Sequence, residues 1–412
     1  MRAGFGSVQP AERLEVLDVL RGFALLGILQ VNWADISGWL ADQLEFFAEG
    51  SFYPIFSFLF GLGFALQMIR ADELGRPFVI RYLWRTAILF LIGAAHFIFI
   101  WDGDVLNEYA LVAPVLLLVR RVRPALVLTL ATAVLLFTMA PPSGQTSRRQ
   151  DPEQAERQRL VQRNANTVIQ AYPPAWCRAL PGLSNAYRAT VCQRAASVPE
   201  QLRLTYTDVT EWQGWLSSIL CMFLLGLYVG RRRILRDATR YTRPLLWVVG
   251  VSLALGLTGS ALDVYEEFFA DRGVALPEAV SRWEAPYYIG NIGLALFYVS
   301  SLTVIVGRGG LGGRLLAPLA NVGRLALTNY LMQSIVFEAI LGPAGFDVMS
   351  RVSEAYSLLL INAFFVVQIL YSSWWLRHFQ FGPVEWLWRS LTWWRAQPMR
   401  VAPSRLVPVV SS

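Results

Sequence analysis

Long apolar runs separated by clusters of arginine constrain this chain more than any other feature. The runs fall at about residues 17–40, 52–69, 83–101, 106–119 and 124–141. After a polar stretch they resume at about 213–230, 244–263, 286–306, 322–342 and 355–376. A helix of about 20 apolar residues crosses the hydrocarbon core, where every backbone N–H and C=O must be satisfied without water. Ten such runs use roughly half of a 412-residue chain, in keeping with 55% hydrophobic and 16% charged residues. The expected fold is all-α, a polytopic helical membrane protein with about 10 transmembrane helices. Collagen, coiled coil and disorder are excluded by the same composition.

The arginines order these runs. All 36 basic residues are arginine, against 29 acidic ones, so no lysine is present to form a Schiff base. Short loops on one side hold Arg70, Arg76, Arg81, Arg85, Arg120, Arg121, Arg123, Arg231, Arg232, Arg233, Arg236, Arg240, Arg243, Arg308, Arg314 and Arg324. The alternate short loops, near 41–51, 102–105, 264–285 and 343–354, hold only Arg272, Arg282 and Arg351. Positive loops stay in the cytoplasm, so an even number of spans leaves both termini there. The basic excess is thus one of membrane orientation; membrane lipids are the expected contacts and nucleic acid is not. The first run is too long for a signal-peptide core and lacks a clear cleavage site, so it reads as an uncleaved helix.

The chain divides into spans 1–5 over 1–141, an extracytoplasmic helical insertion over 142–211, spans 6–10 over 212–380, and a cytoplasmic interfacial helix and tail over 381–412. In the insertion, Asp151 and Pro152 predict one helix start, and Ser197 with Pro199 a second that leads into the sixth span. Cys177 and Cys192 suit a disulfide in an oxidising compartment, worth about 3 kcal/mol by loop entropy; the alternative is two free thiols. Cys221 lies within a span and reads as packing. After the last span, Pro383, Glu385, Trp386, Leu387, Trp388, Trp393 and Trp394 predict a short aromatic helix lying in the interface.

Several polar side chains sit where apolar ones are expected. Asp18 and Arg21 share a face of the first helix, either as a structural ion pair or as an anion site with Arg21 on a phosphate, with Arg324 as a second contributor. Gly22 and Gly27 permit close backbone approach. His96, late in the third span, is the best general-base candidate, since the only other histidine, His378, follows the tenth span at the interface. Asp102 and Asp104 are candidates to orient His96. On a continuous helix Asp104 would lie about 12 Å along the axis, a gap that Gly103 could close by turning the chain. The plainer readings give His96 a hydrogen bond to a neighbouring helix and make Asp104 an N-cap. Asn329 and Gln333, four apart, form a polar stripe that either lines a cavity, which Asn32, Asn291 and Asn362 of three further spans could share, or bonds other helices. Phosphate-loop, HExxH and CxxC motifs are missing, and two distant histidines make a poor metal site, so no metal is expected.

Together, LDVLRGFALLGILQVN (17–32), FSFLFGLGFALQ (56–67), HFIFIWDGDVLNEYA (96–110), GRLALTNYLMQS (323–334) and GPVEWLWR (382–389) resemble the YeiB-like family of bacterial multi-pass membrane proteins, a domain of unknown function. The likeness implies a bacterial cytoplasmic (inner) membrane location. More distantly, D-x-x-R-G followed by V-N is similar to transmembrane acyltransferases of the heparan-glucosaminide N-acetyltransferase type. Those take acyl-CoA from one side and acylate a substrate on the other, through a histidine soon after the first helix. Residues Asn32 to Gly50 hold no histidine here, and His96 is left as the substitute. This resemblance implies acyl-CoA as co-substrate, bound by Asp18, Arg21 and Arg324, and a small-molecule, glycan or lipid-linked acceptor at His96, Asp102 and Asp104. The alternatives are a transporter or channel for a small polar or lipidic solute, and a non-catalytic scaffold. Homodimerisation stays open.

Overall fold

The computed structural model describes residues 14–34, 43–44, 46–48, 50–140, 185–207, 212–271, 285–342 and 345–401. Its helices are α1 (Glu15–Trp33), α2 (Phe52–Glu73), α3 (Val79–Phe99), α4 (Leu106–Val119, with a 3-10 turn at Ala113–Val115), α5 (Pro124–Thr138), α6 (Asn185–Thr207), α7 (Trp215–Arg231), α8 (Thr242–Asp271), α9 (Ala285–Arg308), α10 (Gly310–Arg324), α11 (Ala326–Ser334, continued by a π turn over Ile335–Ile340), α12 (Glu354–His378) and α13 (Pro383–Trp393). No named strand occurs among the described residues; Phe379 and Arg400 form an isolated bridge. Six helices are long and apolar enough to cross a membrane: α1, α2, α3, α8 to Tyr265, α9 and α12. Three shorter apolar ones, α4, α5 and α7, complete a polytopic helical membrane protein.

Close backbone approach, the usual means by which helices associate in lipid, builds the centre of this bundle. A Cβ on Gly22 of α1 would lie 2.0 Å from the Leu319 carbonyl oxygen of α10, and one on Gly323 would lie 1.8 Å from the Asp18 carbonyl. Gly61 of α2 and Gly226 of α7 meet the Phe223 and Phe58 carbonyls in the same way. Gly256 and Gly259 of α8 face Gly293 and Gly290 of α9. Around these contacts α1, α2, α7 and α9 share one apolar core, including Leu20, Ile55, Met222 and Ala295, while α1, α11 and α12 share another around Leu25, Tyr330 and Phe365.

Three expectations need correction. The run at 322–342 is not one continuous helix: it breaks at Leu325 (φ −108°, ψ 33°), and its final turn is π-helical. The stretch 310–321, expected as part of a loop, belongs to α10, which Gly22 and Gly323 let pack directly on α1. The insertion helix does not start at Ser197 and Pro199. It starts at Asn185 and runs through Pro199, while the Ser197 hydroxyl donates to the Arg194 carbonyl at 2.8 Å. The helix expected from Asp151, together with Pro152 and Cys177, lies outside the described residues. Cys192 is fully buried on α6, and Cys221 is a free, buried cysteine of α7.

Candidate functional site

At the end of α3 the Ile100 and Trp101 N–H groups both donate to the His96 carbonyl, at 2.8 and 3.0 Å, and the chain then turns through Asp102 and Gly103. The Trp101 indole lies where a Cβ on Gly103 would sit, 2.3 Å away, so only glycine fits under that ring. The turn returns Asp104 to the helix it has just left. Its Oδ1 lies 2.8 Å from His96 Nδ1, with both side chains buried. Its Oδ2 accepts the N–H groups of Leu106 (3.1 Å) and Asn107 (3.2 Å) at the start of α4. The Tyr330 hydroxyl of α11 donates to Oδ1 at 3.2 Å. One carboxylate therefore caps a helix and holds a ring.

These partners assign the histidine tautomer. A carboxylate only accepts, so Nδ1 carries the proton of the 2.8 Å bond and Nε2 keeps its lone pair. His96 Nε2 is buried and has no hydrogen-bond partner among the described residues. A buried imidazole with one nitrogen oriented by carboxylate and the other unused is the arrangement of a general base. Around it stand Tyr330 and Trp101, with ring centroids 5.4 and 6.4 Å from His96. Trp33 packs on Trp101 (5.1 Å) and on Phe337 of the π turn (6.1 Å).

Asp102 takes a different place. It is more than half exposed and pairs with Arg194 of α6 at 3.4 Å, while Arg194 also donates to the Ile100 carbonyl at 3.2 Å. Tyr187 donates to the Phe99 carbonyl, and Val191 and Cys192 pack on Ile98. The insertion helix thus lies directly over the turn that follows His96.

Asp18 and Arg21 pair at 3.0 Å near the arginine-rich end, with Asp18 buried and Arg21 one-third exposed. Arg324 closes α10 just before the break. Asn329 and Gln333 are not joined to Asn32. Asn329 donates to the Val322 carbonyl and to Ser372, both at 3.0 Å; Gln333 donates to Gln368 at 2.9 Å; and Gln368 donates back to the Asn329 carbonyl at 3.0 Å. This network ties α11 to α12. Among the described residues no group of three His, Cys, Asp or Glu side chains is placed to hold a metal.

The sequence reading passed over Tyr330, Gln368, Ser372, Arg194 and Trp101. Tyr330 sits beside Asn329 within GRLALTNYLMQS, yet about 100° round the helix from it, on the face toward His96. Only tertiary packing pairs it with Asp104.

The family described as "Protein of unknown function (DUF418)" matches residues 229–395, which contain all of α8 to α13 and include Tyr330 and Glu385. The uncharacterized protein YxaH of Bacillus subtilis is 33% identical over 95% of this chain and 98% of its own length. The chain belongs to the YeiB-like DUF418 family. An uncharacterized 39.9 kDa protein of Bacillus acidopullulyticus is 28% identical, covering 94% of this chain and 96% of that protein. YeiB of Escherichia coli is 27% identical over 96% of this chain and all of its own length. The DUF418 match covers the Tyr330 side of the candidate site, whereas His96 and Asp104 precede it.

Proposed function

We propose that this DUF418 protein is a membrane-embedded acyltransferase of the bacterial cytoplasmic membrane, moving an acyl group from a cytoplasmic acyl-CoA-type donor to an extracytoplasmic or lipid-linked hydroxyl or amine. The supporting observation is the His96–Asp104 pair with Nε2 buried and unpartnered. In this reading Nε2 takes the proton of the acceptor O–H or N–H as its lone pair attacks the thioester carbonyl. The C–S bond breaks, and His96 returns the proton to the departing thiolate. Asp104 keeps the tautomer and stabilises the imidazolium. The donor enters at Asp18, Arg21 and Arg324. Asp102 acts one step away, through Arg194, in setting the position of α6 over the site. Cys177 bridges Cys192 to brace that helix.

The deciding experiment measures release of CoA thiol from purified protein with acyl-CoA and candidate acceptors, comparing wild type with His96→Ala and His96→Gln. Removing a general base lowers the rate by about 10²–10⁴-fold. Transfer unchanged in both variants overturns the reading.

A transporter is the second reading, and one observation favours it: Gln333 Oε1 is buried without a partner among the described residues, beside the α11–α12 network. It requires solute flux into vesicles without any acyl donor, lost on substitution of Gln333.

A further inference from the structure

We infer that Glu385 is a positioning residue for the His96 site, acting through α13, which clamps together the two helices that carry His96 and Tyr330. Glu385 and Thr328 cap one another's helices. α11 begins after the break at Leu325, and that N-cap residue makes no side-chain capping bond. Glu385 supplies the missing acceptor from α13. Its Oε1 accepts the N–H of Thr328, the third residue of α11, at 3.0 Å, and its Oε2 accepts the Thr328 hydroxyl. That hydroxyl in turn accepts the Val384 N–H of the first turn of α13 at 3.2 Å. The exchange has the reciprocity of a capping box, here divided between two helices. Gly382 leaves room for it, since a Cβ there would lie 2.1 Å from Glu385 Oε2 and 2.5 Å from Thr328 Oγ. Two residues beyond Thr328, about 3 Å along α11, Tyr330 gives its hydroxyl to Asp104 Oδ1 at 3.2 Å.

Further along, α13 grips α3. The Trp388 indole donates to the Arg85 carbonyl at 2.9 Å, and its ring covers the Arg85 guanidinium at 3.6 Å. Trp393 covers Arg81 at 4.3 Å, Trp84 stacks on Trp394 at 4.9 Å, and the Trp84 indole donates to the Leu391 carbonyl at 3.1 Å. Arg85 and His96 are eleven residues apart on the unbroken α3, about 16 Å along its axis. One short helix is therefore bonded both to the helix that carries His96 and to the helix that carries Tyr330.

α11 has nine residues before its π turn, too few to hold a frayed first turn by propensity alone. Its amide side chains fix it to α12 and, through Gln333, to the Leu25 carbonyl of α1 at 3.4 Å, whereas α13 fixes it to α3. Removing the Glu385 carboxylate takes the acceptor from two Thr328 donors and loosens that first turn. Tyr330 then shifts relative to Asp104, and with it the partner set of His96. The effect on acyl-transfer rate rests on the function proposed above; the effect on the His96 ring does not.

Ring NMR tests this without turnover. The chain has two histidines, so full-length protein in phosphatidylcholine nanodiscs, carrying isotopically labelled histidine, gives two sets of ring signals, assigned with His378→Gln. The Nδ1–H of His96, bonded to Asp104, is the reporter. Tyr330→Phe should move that signal. Glu385→Ala and Trp388→Ala should move it the same way by at least half as much, and Glu385→Gln, which keeps one acceptor oxygen, by less. In the double variant Glu385→Ala should add little to Tyr330→Phe, because both act on one contact. Gly382→Ala and Trp388→Phe are the milder substitutes if an alanine variant does not fold. Acyl transfer by Glu385→Ala should fall about tenfold or more, as misplacement of a reacting group does. A His96 signal unmoved by Tyr330→Phe, unmoved by the folded α13 variants, or shifted by Glu385→Ala in full addition to Tyr330→Phe overturns the assignment. Transfer that proves independent of His96 removes the proposed function and leaves the NMR result standing; transfer that depends on His96 while its ring signals ignore α13 removes the clamp alone.

Discussion

Asp104 stands 2.8 Å from His96 through one oxygen, while its other oxygen caps the helix that follows. The two roles separate by substitution. Asn caps a helix about as well as Asp does, so Asp104→Asn should leave thermal stability within about 1 kcal/mol of wild type. It should still lower acyl transfer by about 100-fold, because a neutral amide stabilises the imidazolium poorly. Tyr330→Phe, which removes one donor to the same oxygen, should alter the pH–rate profile more than the stability. Equal losses of folding and activity in Asp104→Asn would make the pair purely structural.

Gly323→Ala is expected to destabilise strongly, since its Cβ would meet the Asp18 carbonyl oxygen at 1.8 Å. Forced separation of α1 and α10 should cost about 1–3 kcal/mol or more, read as a lower unfolding temperature in detergent. Gly250 of α8 has nothing within 4 Å, and Gly250→Ala should be neutral or gain up to about 1 kcal/mol from helix propensity.

Burial pushes the Glu385 carboxyl above its ordinary value of 4.5, and the Thr328 hydrogen bonds offset part of that rise. An acid whose folded pKa is raised binds more protons folded than unfolded, so its contribution to stability is greatest below pH 4.5 and is lost as pH rises through the folded value. Docking of α13 should therefore tighten on acidification, and Glu385→Gln should flatten this part of the pH dependence. Unfolding temperatures of both proteins across that window decide it; parallel curves would count against Glu385.

The proposed Cys177–Cys192 bridge predicts one alkylatable thiol, Cys221, in denatured protein that has not been reduced, and three after reduction. Cys192→Ser should lower stability by about 3 kcal/mol on the loop-entropy model. Three reactive thiols before reduction, counted by mass spectrometry, would remove the bridge.

Hydropathy was enough to find the bundle, because in lipid the length of an apolar run and the span of a helix are nearly the same quantity. It was blind to the break at Leu325, which falls between Gly323 pressed on α1 and Thr328 held by Glu385. His96 and Asp104 were both visible as misplaced polar groups, but the choice between capping and orienting was false, since a carboxylate has oxygens for each. Arg85 read as an orientation signal. Its cover by Trp388 depends on a helix 303 residues away along the chain, a separation that local pattern does not encode.

The π turn at Ile335–Ile340 has one more consequence. Within it the Leu341 N–H reaches back five residues to the Val336 carbonyl, at 2.8 Å. A π turn accommodates about one residue more than an α turn. Rewinding those residues as ordinary α-helix with none removed would advance everything beyond them by about 100°. Phe337 would then swing off Trp33, and the aromatic wall beside His96 would open. The shape of the aromatic wall is in this sense written in the winding of the backbone as well as in side-chain chemistry, so a change that restores ordinary α-helix here at full length should matter more than most substitutions.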